Sequence, residues 1–308
     1  MINILILGGN GFIGKNIIEK FLGGDYYIIS IDKSNDYLYS KYSTNSRIKL
    51  IEGELSNTEF VKEVINTHRV EIVIHLISTL IPSSNFEDFQ NDLLYVVFPS
   101  FKLIDFLDQK NIKIVFFSSG GTIYGNSNKP LQEIHKLTPI NYYGYSKLMI
   151  ERYIQFRSRV GKLNFLIIRP SNVFGKHQRI NSNQGFIAIS TKRIIEGKEI
   201  EIWGDGKTVR DYIYVSDLAD AIDKLLIINV SNEVINIGCG VGTDLLEIVN
   251  IIEGLLNKRA KLVYREKRSV DVDYMVLNTD KLKSFVSFYP LPVDEGIKLF
   301  INSLTNDC

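Results

Sequence analysis

The chain has little of several things that mark other protein classes. It has two cysteines, Cys239 and Cys308, among 308 residues. That excludes a disulfide framework and makes a cytoplasmic setting the default expectation. It has no apolar run of about 18 residues, so no membrane span is expected. The opening segment MINILILGGN lacks a basic lead and a small-residue cleavage site, and reads as a strand. The four histidines, His68, His75, His135 and His177, show no ligand spacing, so no metal site is expected. An excess of one charge is missing too. Lys and Arg number 36 against 35 Asp and Glu, which argues against a nucleic-acid surface. There is no internal repeat, low-complexity tract or long linker.

What remains is an ordinary globular balance, 45% apolar and 23% charged. The length suits one large α/β unit or two closely joined domains. Short β-branched runs at 3–7, 27–31, 49–51, 72–76, 113–117 and 164–168 alternate with helical stretches such as 15–22, 58–67 and 99–109. The strand runs are continuously apolar, which predicts strands buried on both faces. The expected class is therefore α/β, a Rossmann-type doubly wound parallel sheet. After about residue 170 the pattern loosens. A polar loop at 176–184 precedes a helix at 186–196, a turn at Gly204-Asp205-Gly206, and a strand at 234–237 that returns to the main sheet. The tail from 243 reads as helix, strand and helix. One domain is expected to comprise 1–170 plus about 213–240. A smaller interleaved C-terminal α/β domain takes about 171–212 plus 241–308.

Residues 8–14 read GGNGFIG, between the first strand and a helix. Gly8 permits the tight turn, Gly11 the approach of a pyrophosphate, and Gly14 close helix–strand packing. The helix N-terminus at Phe12 and Ile13 then offers N–H groups to phosphate oxygens. Asp32 ends the second strand, 18 residues after Gly14. A carboxylate there accepts ribose hydroxyls and repels a 2′-phosphate, which favours NAD over NADP. The neighbouring Lys33 works against that preference. A structural turn and a solvated strand-end aspartate are the plain alternatives.

Residues 142–147 read YYGYSK. Tyr143 and Lys147 share one face of a helix start. A tyrosine base needs its pKa brought from ~10 toward 7, worth ~4 kcal/mol. One cation ~4 Å away at an effective dielectric of ~20 supplies about that much. Alone, a surface Tyr and a surface Lys would be the better reading; beside a dinucleotide loop the catalytic pair is. Tyr142 and Tyr145 face elsewhere, as packing or rim residues.

Together with IIRPSNVFG (167–175), WGDG (203–206), VRDYIYVSDLADA (209–221) and NIGCG (236–240), these motifs run in the order and spacing of extended short-chain dehydrogenases. The chain resembles their nucleotide-sugar epimerase/dehydratase group, most closely UDP-glucose 4-epimerases, over nearly its whole length. The resemblance implies NAD in the first domain and a UDP-sugar in the second. It implies that Tyr143 takes the 4-OH proton while NAD oxidises C4, that the 4-keto sugar turns, and that proton and electrons return to the other face. Lys147 would hold the nicotinamide ribose and lower the pKa of Tyr143. Further cofactor contacts are implied at Glu54, Leu55, Leu76, Ile77, Ser78, Ser118 and Pro170. Substrate contacts are implied at Asn172, at Arg210 and Arg268 on the diphosphate, and at Gln184 and Phe186. Trp203 packs near the base or in the core. A homodimer is implied, joined through 99–109 and 143–157.

Several positions depart from the pattern. The usual catalytic hydroxyl position is Gly120, in SSGGTIYG (118–125). If the chain is extended, Thr122 falls on the same side, with Ser119 as the second candidate. The acidic pair of dehydratases is absent, with Gly121 and Thr122 in its place, which disfavours 4,6-dehydration; the Glu of decarboxylases is missing too. Val96 stands where the family often has an Asn. Met275 stands where a Tyr restricts epimerases to glucose and galactose, and its flexible side chain suggests room for an N-acetyl group. Two other readings stay open. One is an NADP-dependent reductase or epimerase/reductase of a nucleotide-linked 4-keto sugar, against which Asp32 argues. The other is a non-catalytic NAD- or nucleotide-sugar-binding regulator, against which Tyr143 and Lys147 argue.

Overall fold

The structure, a computed structural model, describes residues 1–181, 184–267 and 272–306. In chain order the elements are β1 (Ile2–Leu7), α1 (Phe12–Phe21), β2 (Tyr26–Asp32), α2 (Asp36–Tyr42), β3 (Ile48–Glu52), α3 (Thr58–Thr67), β4 (Ile72–His75) and α4 (Phe86–Asp92). A π-helical turn (Leu93–Val97) joins α4 to α5 (Phe98–Lys110), followed by β5 (Lys113–Phe117), α6 (Tyr142–Val160), β6 (Phe165–Pro170) and β7 (Asn172–Phe174). Then come α7 (Phe186–Glu196), β8 (Glu199–Trp203), β9 (Val209–Tyr214), α8 (Val215–Ile227), β10 (Glu233–Ile237) and β11 (Gly242–Asp244). The chain closes with α9 (Leu245–Leu256), β12 (Lys261–Arg265), β13 (Tyr274–Met275), α10 (Asp280–Phe285) and α11 (Val293–Asn306).

The main sheet has seven strands in the order β10-β6-β5-β4-β1-β2-β3, and every pair is parallel. The direction of winding reverses between β1 and β4, and α/β sheets open a ligand crevice at such a point. Side-chain alternation explains the unbroken apolar runs. Ile4 and Ile6 of β1 join the core under α1 and α8. Leu5 and Leu7 join the core on the opposite face, under α3, α5 and α6. A second sheet, β11-β9-β13 with β7 on β9, and the parallel pair β8–β12 carry the C-terminal half. Their core forms with α7, α9 and α11 around Phe174, Tyr212, Tyr214 and Phe300.

Local chemistry sets the helix ends near the crevice. The Asn141 side chain caps α6 by accepting the Gly144 N–H at 2.8 Å. Asn85 and Asp88 form a reciprocal capping box at the start of α4. Asn111, in the left-handed region, ends α5. The helix expected over 99–109 is thus the last part of a helical column from 86 to 110. Helices α2, α8 and α10 and strands β7, β8, β9, β11 and β13 are additions to the expected elements; DYLYSKY is too polar and β13 too short to show a period. No described helix is long and apolar enough to cross a membrane.

Candidate active site

A cavity of about 690 Å³ opens at the reversal point and runs from the glycine loop to the second sheet. Gly8, Gly11, Phe12, Ile13 and Gly14 form one end. The loop is shaped for close backbone approach. A Cβ on Gly14 would stand 2.4 Å from the Gly8 carbonyl oxygen and 2.6 Å from that of Gly9. Helix α1 starts at Gly11 without a side-chain cap, so N–H groups of its first turn are available to an anion. Those features fit a dinucleotide pyrophosphate. Asp32 stands beside the loop and accepts the backbone N–H of Asn10 at 2.9 Å and of Lys33 at 2.8 Å. The Lys33 ammonium is 3.5 Å from Glu54, which draws it away from Asp32.

Asp32, Lys33 and Glu54 lie past the cavity, at the ends of β2 and β3. Leu55, expected at the cofactor, is 2% exposed and belongs to the core with Val61 and Val64. The cavity floor is formed by Leu76, Ser78, Ser118 and Pro170. Ile77 acts from behind it, its carbonyl accepting from Lys147 Nζ at 3.3 Å.

Tyr143 and Lys147 both reach the cavity from the first turns of α6. Lys147 is 4% exposed, and burial pulls its ammonium down to about 8, with Asp92 and Glu151 opposing. The Tyr143 phenol behaves differently from expectation. Burial, and the negative charge of Asp92, push it above its ordinary value, while the Ser119 hydroxyl pulls it down. Lys147 Nζ lies 6.0 Å from the Tyr143 ring centroid. The chain alone therefore does not lower the Tyr143 phenol toward neutral pH.

The structure also revises the hydroxyl. Ser119, the second candidate, is the one turned toward the phenol. Thr122 would reach it from an extended chain, but a turn begins after Ser119 and the Ile123 N–H reaches back to the Ser119 carbonyl at 3.4 Å. Thr122 still lines the cavity, with its Oγ1 buried and unpartnered. Gly120 is filled space. A Cβ there would lie 2.7 Å and 3.0 Å from the two Leu277 methyls and 3.0 Å from the Pro170 carbonyl oxygen.

Asn172, Gln184, Phe186, Trp203 and Arg210 form the far wall. Asn172 donates to the Asp211 carbonyl at 2.9 Å, and Arg210 to the Val209 carbonyl at 2.9 Å. Met275 is not in this wall. It lies opposite Arg210 on β13, 1% exposed, and packs with Ile123, Tyr124, Leu131 and Leu277. It comes near the site behind Gly121, whose Cβ would be 3.6 Å from its methyl. Arg268 lies outside the described residues. Sequence reasoning missed the loop Thr79–Pro82 and Gln178, all of them cavity-lining. The loop follows β4 at the carboxyl edge of the sheet, and that position was the available signal. Among the described residues no cluster of His, Cys, Asp or Glu could hold a metal.

Residues 4–238 match the family described as the NAD dependent epimerase/dehydratase family. The chain belongs to this family. A putative UDP-glucose 4-epimerase from Methanocaldococcus jannaschii is 32% identical over 99% of both chains. A dTDP-4-dehydro-6-deoxyglucose reductase from Escherichia coli is 31% identical over 98% of this chain and 97% of its own. A crystal structure of UDP-glucose 4-epimerase from Thermotoga maritima with UDP-glucose superposes with a TM-score of 0.90, 31% identity and 99% coverage of each chain. The cofactor of this epimerase/dehydratase is NAD, and the fold is the Rossmann-type sheet of that family.

Proposed function

We propose that the chain inverts C4 of a UDP-sugar, either UDP-glucose and UDP-galactose or their N-acetylated counterparts. The observation that carries this reading is one continuous cavity that joins the glycine loop, the Ser119–Tyr143–Lys147 group and the Asn172–Arg210 wall. NAD supplies the reversible two-electron acceptor for C4. Tyr143, as phenolate, removes the proton of the 4-hydroxyl, and Ser119 shares a hydrogen bond with the same oxygen. Lys147, which lines the cavity, holds a ribose hydroxyl and favours the phenolate. Gly8 to Gly14 hold the pyrophosphate and Asp32 the adenosine ribose. Arg210, with Arg268, holds the sugar-nucleotide diphosphate, and Asn172, Gln184 and Phe186 frame the sugar and base. The proton returns from Tyr143 once the opposite face of the keto sugar is presented. In this arrangement 1–170 plus about 213–240 carry the cofactor, and the remainder carries the substrate.

The similarity to a keto-sugar reductase keeps a second reading in view, in which NADPH is consumed stoichiometrically and leaves after each turnover. Tyr143→Phe tests the catalytic assignment. Conversion is expected to fall by about 10²–10⁴-fold, with bound NAD unchanged. A variant that keeps full conversion would remove Tyr143 from the mechanism.

A further inference from the structure

A buried carboxylate stands between the cavity wall and the catalytic helix, and the mechanism above makes no use of it. Asp92, the last residue of α4, is 1% exposed. Its Oδ1 accepts the Thr79 hydroxyl at 2.5 Å, and its Oδ2 the Ser146 hydroxyl at 2.5 Å. Thr79 lines the cavity. Ser146 immediately precedes Lys147 on α6. The π-helical turn begins at the next residue, and the Phe98 N–H reaches the Leu93 carbonyl five residues back. One extra residue in a turn rotates the helix on its N-terminal side by about 100° relative to the helix on its C-terminal side. π turns of this kind recur at functional sites.

We propose that Asp92 is a positioning residue whose carboxylate ties the Thr79 wall to the catalytic helix next to Lys147. This rests on the assignment of Tyr143 and Lys147 given above. The two hydrogen bonds on Asp92 come from uncharged hydroxyls, so its charge acts on the groups around it. These are Tyr143 and Lys147 on α6; Lys147 is faced in addition by Glu151 one turn further along and by His75 at the end of β4. His75 is pulled down to about 3 by burial, with Lys147 adding to the effect, so it stays neutral and contributes no charge. Burial works against the Lys147 ammonium, and Asp92 opposes it. The same charge disfavours the Tyr143 phenolate. Removing it therefore shifts both titrations toward lower pH. The site gives up some ease of ionising Tyr143 to keep Lys147 charged.

The test uses the full chain with Asp92→Asn and Asp92→Ser, both neutral and able to hydrogen-bond. The pH midpoint of Lys147 acetylation by acetic anhydride, read by mass spectrometry of its peptide, is expected near 8 in the wild type. In either variant it should fall by about one unit, a tenfold change in proton affinity. The alkaline limb of the kcat profile should move the same way. Thr79→Val keeps the charge and removes one tie, so it should raise KM several-fold with the Lys147 midpoint unmoved. An unshifted midpoint in the neutral variants would overturn the charge role even if their melting temperature falls. An unchanged KM in Thr79→Val would overturn the tie, whatever happens to the Asp92 variants. The acetylation midpoint needs no substrate. A chain that converts no UDP-sugar would thus sink the proposed function while leaving the Asp92 claim to be judged alone.

Discussion

Gly120 shows how a single position can be settled by its neighbours. A hydroxyl is usual there, but Leu277 and the Pro170 carbonyl fill the space a side chain would need. Gly120→Ser should destabilise the protein by about 1–3 kcal/mol through overpacking. Leu277→Ala should cost about 2–5 kcal/mol through the cavity it leaves. Combined, the serine enters the vacated space, and urea unfolding of the double variant should recover about 1 kcal/mol or more relative to the sum. Strict additivity would show that the two residues do not compete for one volume. The Tyr143–Lys147 pair was legible in the sequence because both residues lie on one short helical stretch. Ser119 was legible only as the second hydroxyl, because its contact depends on a turn that begins one residue later. The resemblance put Met275 at that position but could not say that its side chain turns into a core beneath Gly121. Asp92 was invisible for a related reason. A lone acid before LLYVV gives no sign that it is buried between two other segments.

At the scale of elements, α6 is fixed to the sheet by a buried ion pair. Arg169 of β6 binds Glu151 of α6 through two hydrogen bonds, of 3.0 Å and 2.7 Å, with both side chains at 2% exposure or less. It also donates to the Tyr124 hydroxyl at 2.8 Å. Glu151 sits one turn beyond Lys147, so the pair sets the height of the catalytic helix over the sheet. Arg169→Met leaves Glu151 buried without a partner and should cost about 3–5 kcal/mol in chemical denaturation. Replacing both, as Arg169→Met with Glu151→Leu, should regain most of that stability. A single variant as stable as the wild type would show that water reaches Glu151. The main-sheet strands were readable because continuous β-branched runs have few other uses. The column from 86 to 97 was not. In LLYVV, Leu94 and Tyr95 are exposed while Val96 and Val97 are buried, so no helical stripe appears.

At the scale of the molecule, the cavity exists because the carboxyl edge of the seven-stranded sheet faces the sheet that β7, β9 and β13 build. The sequence shows that meeting only as two interleaved domains, since pairings such as β7 with β9 join residues about 40 apart. The outer faces of α4 to α6 carry exposed Leu94, Tyr95, Phe98, Phe156 and Val160, an apolar patch of the kind subunits bury. Phe101 and Tyr153 stack across the two helices, 4.1 Å between centroids, giving the patch a rigid base. We propose that two copies join there. Phe156→Asp should convert a dimer to a monomer in sedimentation, and a monomeric wild type would contradict the proposal. The most direct test of the central claim is incubation of the purified chain, with no cofactor added, with UDP-glucose and separately with UDP-N-acetylglucosamine, following C4 inversion by NMR. The account predicts conversion of at least one sugar by NAD that stays bound. Bound NAD with no inversion of either sugar would contradict it.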